Sequence, residues 1–278
     1  MKERLEQVYR RAERISIDRS SKIVCMSDCH RGVGNPGDNF LPNQNIFLAA
    51  LRYYYEGCFC YIELGDGDEL WENRELSRIE ESHSDTYHML SRFFHSDRLL
   101  MLYGNHDCEK KKVELSFGMR AREGVVLVDC ASGHEIMLVH GHQGDWLNDT
   151  LWPLARFLVR YVWHPLEVLG VNNPTSASSN YKKRKKAEVR LDAFSEKKQI
   201  LLIAGHTHRP VLPKPGEGFY LNDGCCVRPQ GITAIEIERG AVTLVKWSVV
   251  TRPNRNLAVE REVLEGPYPW EQYWENRK

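Results

Sequence analysis

A mixed α/β layered sandwich is the fold class predicted by three features of the 278-residue sequence. Short apolar runs end in turn residues, helical stretches separate the earlier runs, and the later runs follow one another across short turns. No internal repeat and no long low-complexity segment disturbs that pattern.

Taken in order, residues 2–15 have the charge and spacing of a helix, and residues 22–27 are the first strand candidate. A helix is predicted over 43–56, a strand over 59–64, a long helix over 70–94 and a strand over 99–103. Strands are then expected over 125–128 and 136–139, with helices over 153–164 and 181–199. Four strands, 200–204, 219–221, 232–237 and 242–249, complete the series. The segment between Val139 and Ile200 breaks the rhythm and reads as an insertion at the rim of the site. The chain therefore divides into a core of residues 1–142 and 200–278 and a helical cap of residues 143–199.

Lys plus Arg and Asp plus Glu both total 38, so any argument for nucleic acid or membrane has to be local. Residues 1–20 are charged and lack the apolar stretch of a signal peptide, which leads to the expectation of a cytoplasmic protein. No run approaches the ~20 apolar residues that span a bilayer. The eight cysteines make no pair of C-x-x-C motifs. Cys25, Cys58, Cys60, Cys108 and Cys130 lie in or beside apolar runs, so reduced core thiols are the first reading and a zinc site or disulfide framework the second.

The chemistry lies in the residues that follow the strands. Asp28 and His30 follow the first, Gly65-Asp66 the second and Gly104-Asn105-His106-Asp107 the third. His140-Gly141-His142 and Gly205-His206-Thr207-His208 follow two later ones. Ligands of layered α/β folds bind at the carboxyl ends of strands, so these groups can converge. A glycine in most clusters lets the backbone bend toward a metal or phosphate. Oxygen and imidazole donors suit Mn, Fe, Zn, Co or Ni, with manganese the first expectation. Two such ions ~3.5–4 Å apart can clamp a phosphoryl group, and a shared carboxylate, for which Asp66 is the candidate, would offset their repulsion. Asp68 is a rival to Asp66, but it lies farther from the strand and leaves Trp71 where the motif wants an acid. Strand alternation points Cys29 away from its neighbours Asp28 and His30.

The blocks Asp28-x-His30, Gly65-Asp66-x-x-Glu69, Gly104-Asn105-His106-Asp107, His140 and Gly205-His206-x-His208 resemble the calcineurin-like metallophosphoesterase superfamily. All five occur in that family's order over residues 28–208. The resemblance implies a four-layer α/β/β/α sandwich of two mixed sheets carrying an inserted helical cap. It implies a first metal on Asp28, His30, Asp66 and His208 and a second on Asp66, Asn105, His140 and His206. His106 would contact the phosphate and protonate the leaving oxygen, with Asp107 orienting its ring. The implied reaction is in-line attack on phosphorus by a bridging hydroxide, with no covalent enzyme intermediate.

A lone Asp or His after a strand is usually a turn residue, but seven at matching positions reinforce one another. Arg31, beside His30, has two readings, a phosphate contact or a surface salt bridge. His142 has two as well, a substrate contact or a turn residue. His83, His88 and His95 are expected on a solvated helix face, and His134 in a hairpin turn. Asn222 and Gly224 are expected to shape a turn near the site.

Within the superfamily the sequence is more similar to the UDP-2,3-diacylglucosamine pyrophosphohydrolase branch than to the Ser/Thr protein phosphatases. Ser27-Asp28-x-His30, the Gly-His hairpin before His140 and the helical insertion carry that likeness. His142 departs from it, standing where that branch has Asp. Residues 146–169 include Trp146, Trp152 and Trp163 among large apolar side chains. They read either as a helix packed into the core or as a lid for an acyl chain or a membrane surface. Residues 181–198 carry eight basic residues against three acidic ones, which suit a solvated face or an anion site. The substrate expected is a phosphorylated small molecule or a nucleotide- or lipid-linked phosphoester, with peripheral membrane contact through the cap. A DNA or RNA nuclease is the second enzymatic reading, and a non-catalytic scaffold of the same fold the third. The segment after Trp247 is left open between packing on the core and contacting a partner.

Overall fold

The computed structural model describes residues 2–144, 186–229 and 231–275. Helix α1 (Lys2–Arg11) stops earlier than the spacing suggests, and the chain turns directly into strand β1 (Glu13–Ile17). Only Ile15 and Ile17 mark that strand in sequence. What makes it a strand is its parallel partner β5 (Gly124–Asp129), matched from Glu13↔Val125 to Ile17↔Asp129.

Strand β2 (Lys22–Met26) leads through a loop and a short 3-10 turn (Leu41–Asn43) into α2 (Gln44–Glu56) and then β3 (Cys60–Leu64). The long helix predicted over 70–94 is instead two, α3 (Leu76–Ser82) and α4 (Ser84–His95), broken at His83. The break is tertiary in origin. His83 is fully buried rather than solvated, with Nε2 2.8 Å from Asp38 Oδ2 and its ring edge-on to Phe40. His88 and His95 of the same stretch are exposed.

Strand β4 (Leu99–Leu102) is followed by a 3-10 turn (Cys108–Lys111), β5 and its hairpin partner β6 (Glu135–Val139). Helix α5 (Lys186–Lys198) precedes β7 (Leu201–Ala204) and β8 (Tyr220–Asn222). The chain ends with the meander β9 (Ile232–Glu238), β10 (Ala241–Thr251) and β11 (Leu257–Pro269) and a short helix α6 (Gln272–Glu275).

These strands form two mixed sheets, ordered β1-β5-β6-β7-β8 and β11-β10-β9-β2-β3-β4. Side-chain alternation fills three cores. Between the sheets lie Ile62 and Leu64 of β3 against Ile136 and Leu138 of β6. On the outer face of the six-stranded sheet, Tyr61 and Met101 pack under Phe47, Leu51 and Phe93 of α2 and α4. On the outer face of the other, Met137 and Leu202 pack under Leu5 and Val8 of α1 and Leu191 and Phe194 of α5. The result is the four-layer α/β/β/α sandwich.

Helix α5 falls in the stretch expected as cap, yet Ala187, Leu191 and Phe194 make it a layer of the sandwich. The apolar residues 146–169 and the basic residues 182–185 lie outside the described residues. The end of the chain packs back on the core. β11 pairs along β10, Trp270 and Tyr273 are buried between the sheets, and Trp274 Nε1 donates to the Gln199 carbonyl at 2.8 Å. The Trp274 ring also stacks on His134 of the β5–β6 hairpin, 4.1 Å between centroids. All eight cysteines are free thiols, and Cys58 and Cys130 are exposed rather than core residues. No helix among the described residues is long and apolar enough to cross a membrane.

Candidate metal centre

The functional residues sit where parallel strands of both sheets end. β2, β3 and β4 are parallel neighbours in one sheet, and β6 and β7 are parallel neighbours in the other. The loops that leave them are tied across the gap. Gly205 N donates to the His140 carbonyl at 2.9 Å, His206 N to Asp28 Oδ2 at 2.8 Å and His30 N to the Asp66 carbonyl at 2.9 Å.

Side chains turn inward there because the backbone adopts a conformation that L-residues rarely take. Asp28, His30, Asp66, His206 and His208 all have positive φ, between 48° and 65°. Such residues persist only where surrounding structure over-determines them, and they cluster at functional sites. Gly65, at φ 97°, lets the strand turn into Asp66, and a Cβ there would lie 2.6 Å from Gly104 N.

Three groups of potential ligands result, one of them His30, Glu69 and His106 at the mouth, and the other two lie deeper. Asp28, His30 and His208 each offer an atom within 4.8 Å of the others, and so do Asp66, His140 and His206. Asp28 Oδ2 is held by the Ser27 hydroxyl (2.5 Å) and His206 N, which turns Oδ1 toward His208 Nε2 (3.0 Å) and His30 Nε2 (3.7 Å). His140 Nδ1 donates to the Leu64 carbonyl at 2.9 Å, which leaves the Nε2 lone pair facing Asp66 Oδ2 at 3.0 Å. The other Asp66 oxygen accepts from His106 N at 2.7 Å. Asn105 Oδ1 is buried with no hydrogen bond, as are His30 Nε2 and His140 Nε2.

Buried acceptor atoms without partners are costly, and a cation satisfies them. Carboxylate, amide and imidazole donors suit a divalent transition ion. The electrostatics agree. Burial opposes ionisation of Asp66 and Asp28, but the surrounding imidazoles outweigh it and hold both well below the usual carboxylate range. Burial alone would lower His140, yet the Asp66 and Asp28 charges raise it to about 9. The residues present fit divalent metal ions, which the structure does not carry.

His106 lies at the mouth, its side chain 22% exposed. Its Nδ1 is 2.8 Å from Glu69 Oε1, and the Trp71 indole stacks on its ring, 3.9 Å between centroids and 22° apart. The ring is therefore oriented by Glu69 and Trp71, not by Asp107. Asp107 is fully buried beneath the site, and its carboxylate accepts from the backbone of Gly104 (2.6 Å), Gly67 (3.0 Å) and Asp66 (3.2 Å).

Arg31 is also placed differently from either reading of it. It is fully buried, its Nη1 and Nη2 each 2.8 Å from Glu63 and its Nε 2.6 Å from Asp68. Glu63 and Asp68 engage the guanidinium and compensate its burial. Asp68, the rival of Asp66, belongs to the same network. His142 is buried behind His140, rings 5.6 Å apart, and burial with the facing His140 and His206 keeps it well below the usual imidazole range. Its Nδ1 is buried without a hydrogen bond.

Three contributors carried no role in the sequence. Glu69 was visible as part of the Gly65-Asp66-x-x-Glu69 spacing. Ser27, which also lies 2.8 Å from Asp223 Oδ1, was visible only as part of the Ser27-Asp28-x-His30 opening, and Lys110, three residues after Asp107, had no signal apart from adjacency. Asn222 shapes the neighbouring turn through Nδ2, which donates to the Gly205 carbonyl at 2.6 Å.

Two sheets presenting a cluster of acidic, amide and imidazole donors at parallel strand ends define a metal-binding α/β sandwich. By sequence the chain belongs to the calcineurin-like phosphoesterase family, whose model matches residues 21–210. No curated protein matches it significantly. Among solved structures, it is similar to Vps29 of Chaetomium thermophilum, at 12% identity and TM-score 0.42 over 88% of this chain and 97% of that one. It is also similar to a cold-active protein-tyrosine phosphatase of a Shewanella species, at 14% identity and TM-score 0.41 over 90% and 82%. A putative 5'-nucleotidase from Staphylococcus aureus, in complex with alpha-ketoglutarate, gives 13% identity and TM-score 0.35 over 91% and 57%.

Proposed function

We propose that this protein is a phosphohydrolase working with two divalent metal ions, manganese the first candidate. The observation that carries the reading is the pair of ligand groups, Asp28/His30/His208 and Asp66/His140/His206, brought together at the ends of strands from both sheets. In this reading Asp66 would be shared between the ions and Asn105 would complete the second set. When bound, the ions lower the pKa of a water and neutralise charge growing on the phosphoryl oxygens.

The chain's own residues do the rest. Ser27 and the His206 amide hold Asp28, and the Leu64 carbonyl fixes the tautomer of His140. Glu69 takes Nδ1 of His106, so Nε2 is the atom left to bind the phosphoryl group and pass a proton to the leaving oxygen. Trp71 limits the ring to one plane. The reaction consumes one water, whose oxygen forms the new P–O bond as the P–O bond to the leaving group breaks, and the leaving oxygen takes up a proton.

The substrate proposed is a phosphoester or pyrophosphate whose other half is apolar. The support is compositional: the three tryptophans and other large apolar residues of the 146–169 stretch. A nuclease needs a basic face. The described part of the basic run, α5, carries Lys186, Arg190, Lys197 and Lys198 against Glu188, Asp192 and Glu196. Glu188 and Lys198 there are already paired with Arg209 and Glu6.

The test is hydrolysis by manganese-loaded protein of a phosphomonoester, a phosphodiester, a UDP-lipid pyrophosphate and DNA, beside Asp66→Asn. Turnover lost in the variant supports the two-ion reading, and the preferred substrate identifies the class. Turnover retained by Asp66→Asn overturns it. Preference for DNA over the amphiphile overturns the substrate class.

A further inference from the structure

We infer that Lys110 is a positioning residue for the second metal ion, acting through Asp107 on the two turns that carry Asp66 and Asn105. The inference rests on the two-ion reading above and adds a device that reading does not contain.

Five charged side chains lie buried beneath the site with no more than 1% exposure: Arg31, Glu63, Asp68, Asp107 and Lys110. Burying this many ions in a fold costs stability unless every one is matched. Arg31 spans Glu63 and Asp68. Lys110 Nζ lies 2.7 Å from Asp68 Oδ2, 2.8 Å from Asp107 Oδ2 and 3.5 Å from Glu63 Oε1. It is the cation that reaches all three carboxylates.

Asp107 shows what the matching achieves. Its two oxygens accept from Gly104 N, just before Asn105, and from Asp66 N and Gly67 N on the neighbouring turn. One carboxylate thus fixes the spacing between the turns of two ligands assigned to the second ion. The Lys110 ammonium faces that carboxylate directly, Nζ 2.8 Å from Oδ2. An ionised acceptor holds backbone N–H groups with stronger, shorter hydrogen bonds. Lys110 reaches Asp107 from the same 3-10 turn, its own amide donating to the Asp107 carbonyl at 3.0 Å, so the clamp is built into a few residues.

The first ion's set depends on this clamp less. Apart from the shared Asp66, two of its ligands are held elsewhere: Asp28 by Ser27 and His206 N, and His30 by the Glu69 carboxylate. A lost clamp should therefore weaken one ion more than the other. A general loss of packing would weaken both or only lower the melting temperature.

The experiment is calorimetric titration of metal-free full-length protein with manganese, comparing wild type, Lys110→Met and Lys110→Arg, with melting temperatures measured alongside. Wild type is expected to bind two ions. Lys110→Met is expected to keep one and to bind the second about 10–100-fold more weakly, the range for removing a partner that orients metal ligands. Lys110→Arg, which restores the charge, should recover at least part of that loss. Should Lys110→Met fail to fold, Lys110→Gln, which fills the slot without charge, replaces it with the same expectation. Both ions bound as in wild type, or both weakened equally, overturns the positioning role. A wild type that binds fewer than two ions overturns the two-ion reading instead, so the two failures are distinguishable.

Discussion

Glu69 Oε1 lies 2.8 Å from His106 Nδ1, while its other oxygen lies 2.8 Å from His30 Nδ1. One carboxylate thus orients both the ring at the mouth and a ring of the first ligand group, and the two rings meet edge-on, 4.7 Å between centroids. Burial opposes its ionisation, but His106 and His30 bring its pKa down to about 2. Replacing it with Gln keeps the shape and removes the charge. Glu69→Gln is expected to lower kcat about 10–100-fold, with a shifted pH profile and a smaller change in KM. Steady-state kinetics across pH with a chromogenic phosphodiester checks this, and an unchanged profile would remove Glu69 from the mechanism.

Asp66 is the carboxylate proposed as shared, so its loss should cost more than any single orienting residue. Asp66→Asn is expected to leave fewer than two ions per chain and to lower turnover by more than about 100-fold. Metal analysis after gel filtration, run beside the kinetics, decides it. Two tightly bound ions in the variant would show that Asp66 does not bridge.

Arg31 is structural, and its removal leaves Glu63 and Asp68 buried without their guanidinium. Arg31→Met is expected to destabilise the fold by about 3–5 kcal/mol, the usual cost of breaking a buried pair. Urea denaturation gives the number. A stable variant whose KM alone rises would return Arg31 to the substrate-binding role expected from its place beside His30.

Gly104 has no room for a side chain, since a Cβ there would collide with Asp66 Oδ1. Gly104→Ala is expected to destabilise the protein by about 1–3 kcal/mol and to weaken metal binding through displacement of Asp66. Thermal melts with and without manganese separate the two effects. A variant as stable and as tight as wild type would mean that the turn has slack.

His140 ties metal binding to pH. In the metal-free protein its pKa is raised to about 9, so near neutral pH it holds a proton that an ion must displace. Manganese affinity is therefore expected to rise about tenfold per pH unit from 7 toward 9 and to level off above. The sign for stability without metal is opposite. A raised folded-state value stabilises the protein fully below the ordinary imidazole value of 6.5, and that contribution is lost as pH rises through about 9. Titrations in buffers of different ionisation enthalpy count the released proton, and none released would place it elsewhere.

Much of the centre was legible in sequence, because each ligand cluster follows an apolar run that can only be a buried strand. Asp28, Asp66, Asn105, His140 and His206 follow their strands within a few residues, and the glycines beside them mark turns. A mixed α/β layered sandwich follows from strands that alternate with helices early and pair directly late, while the four layers were what the family resemblance implied. What the residues by themselves do not encode is where a side chain points once the loop has folded. Nothing adjacent to Arg31 tells that Glu63 and Asp68 will draw it inward, nor does Asp107, next to His106, reveal that four backbone amides claim its carboxylate. His83 breaks a helix for an Asp38 forty-five residues away, and β1 exists because β5 pairs with it. Local periodicity and turn chemistry therefore determined which residues gather at the strand ends. Burial of charge, whose cost only long-range partners can offset, decided which of them face the metal site and which hold it from below.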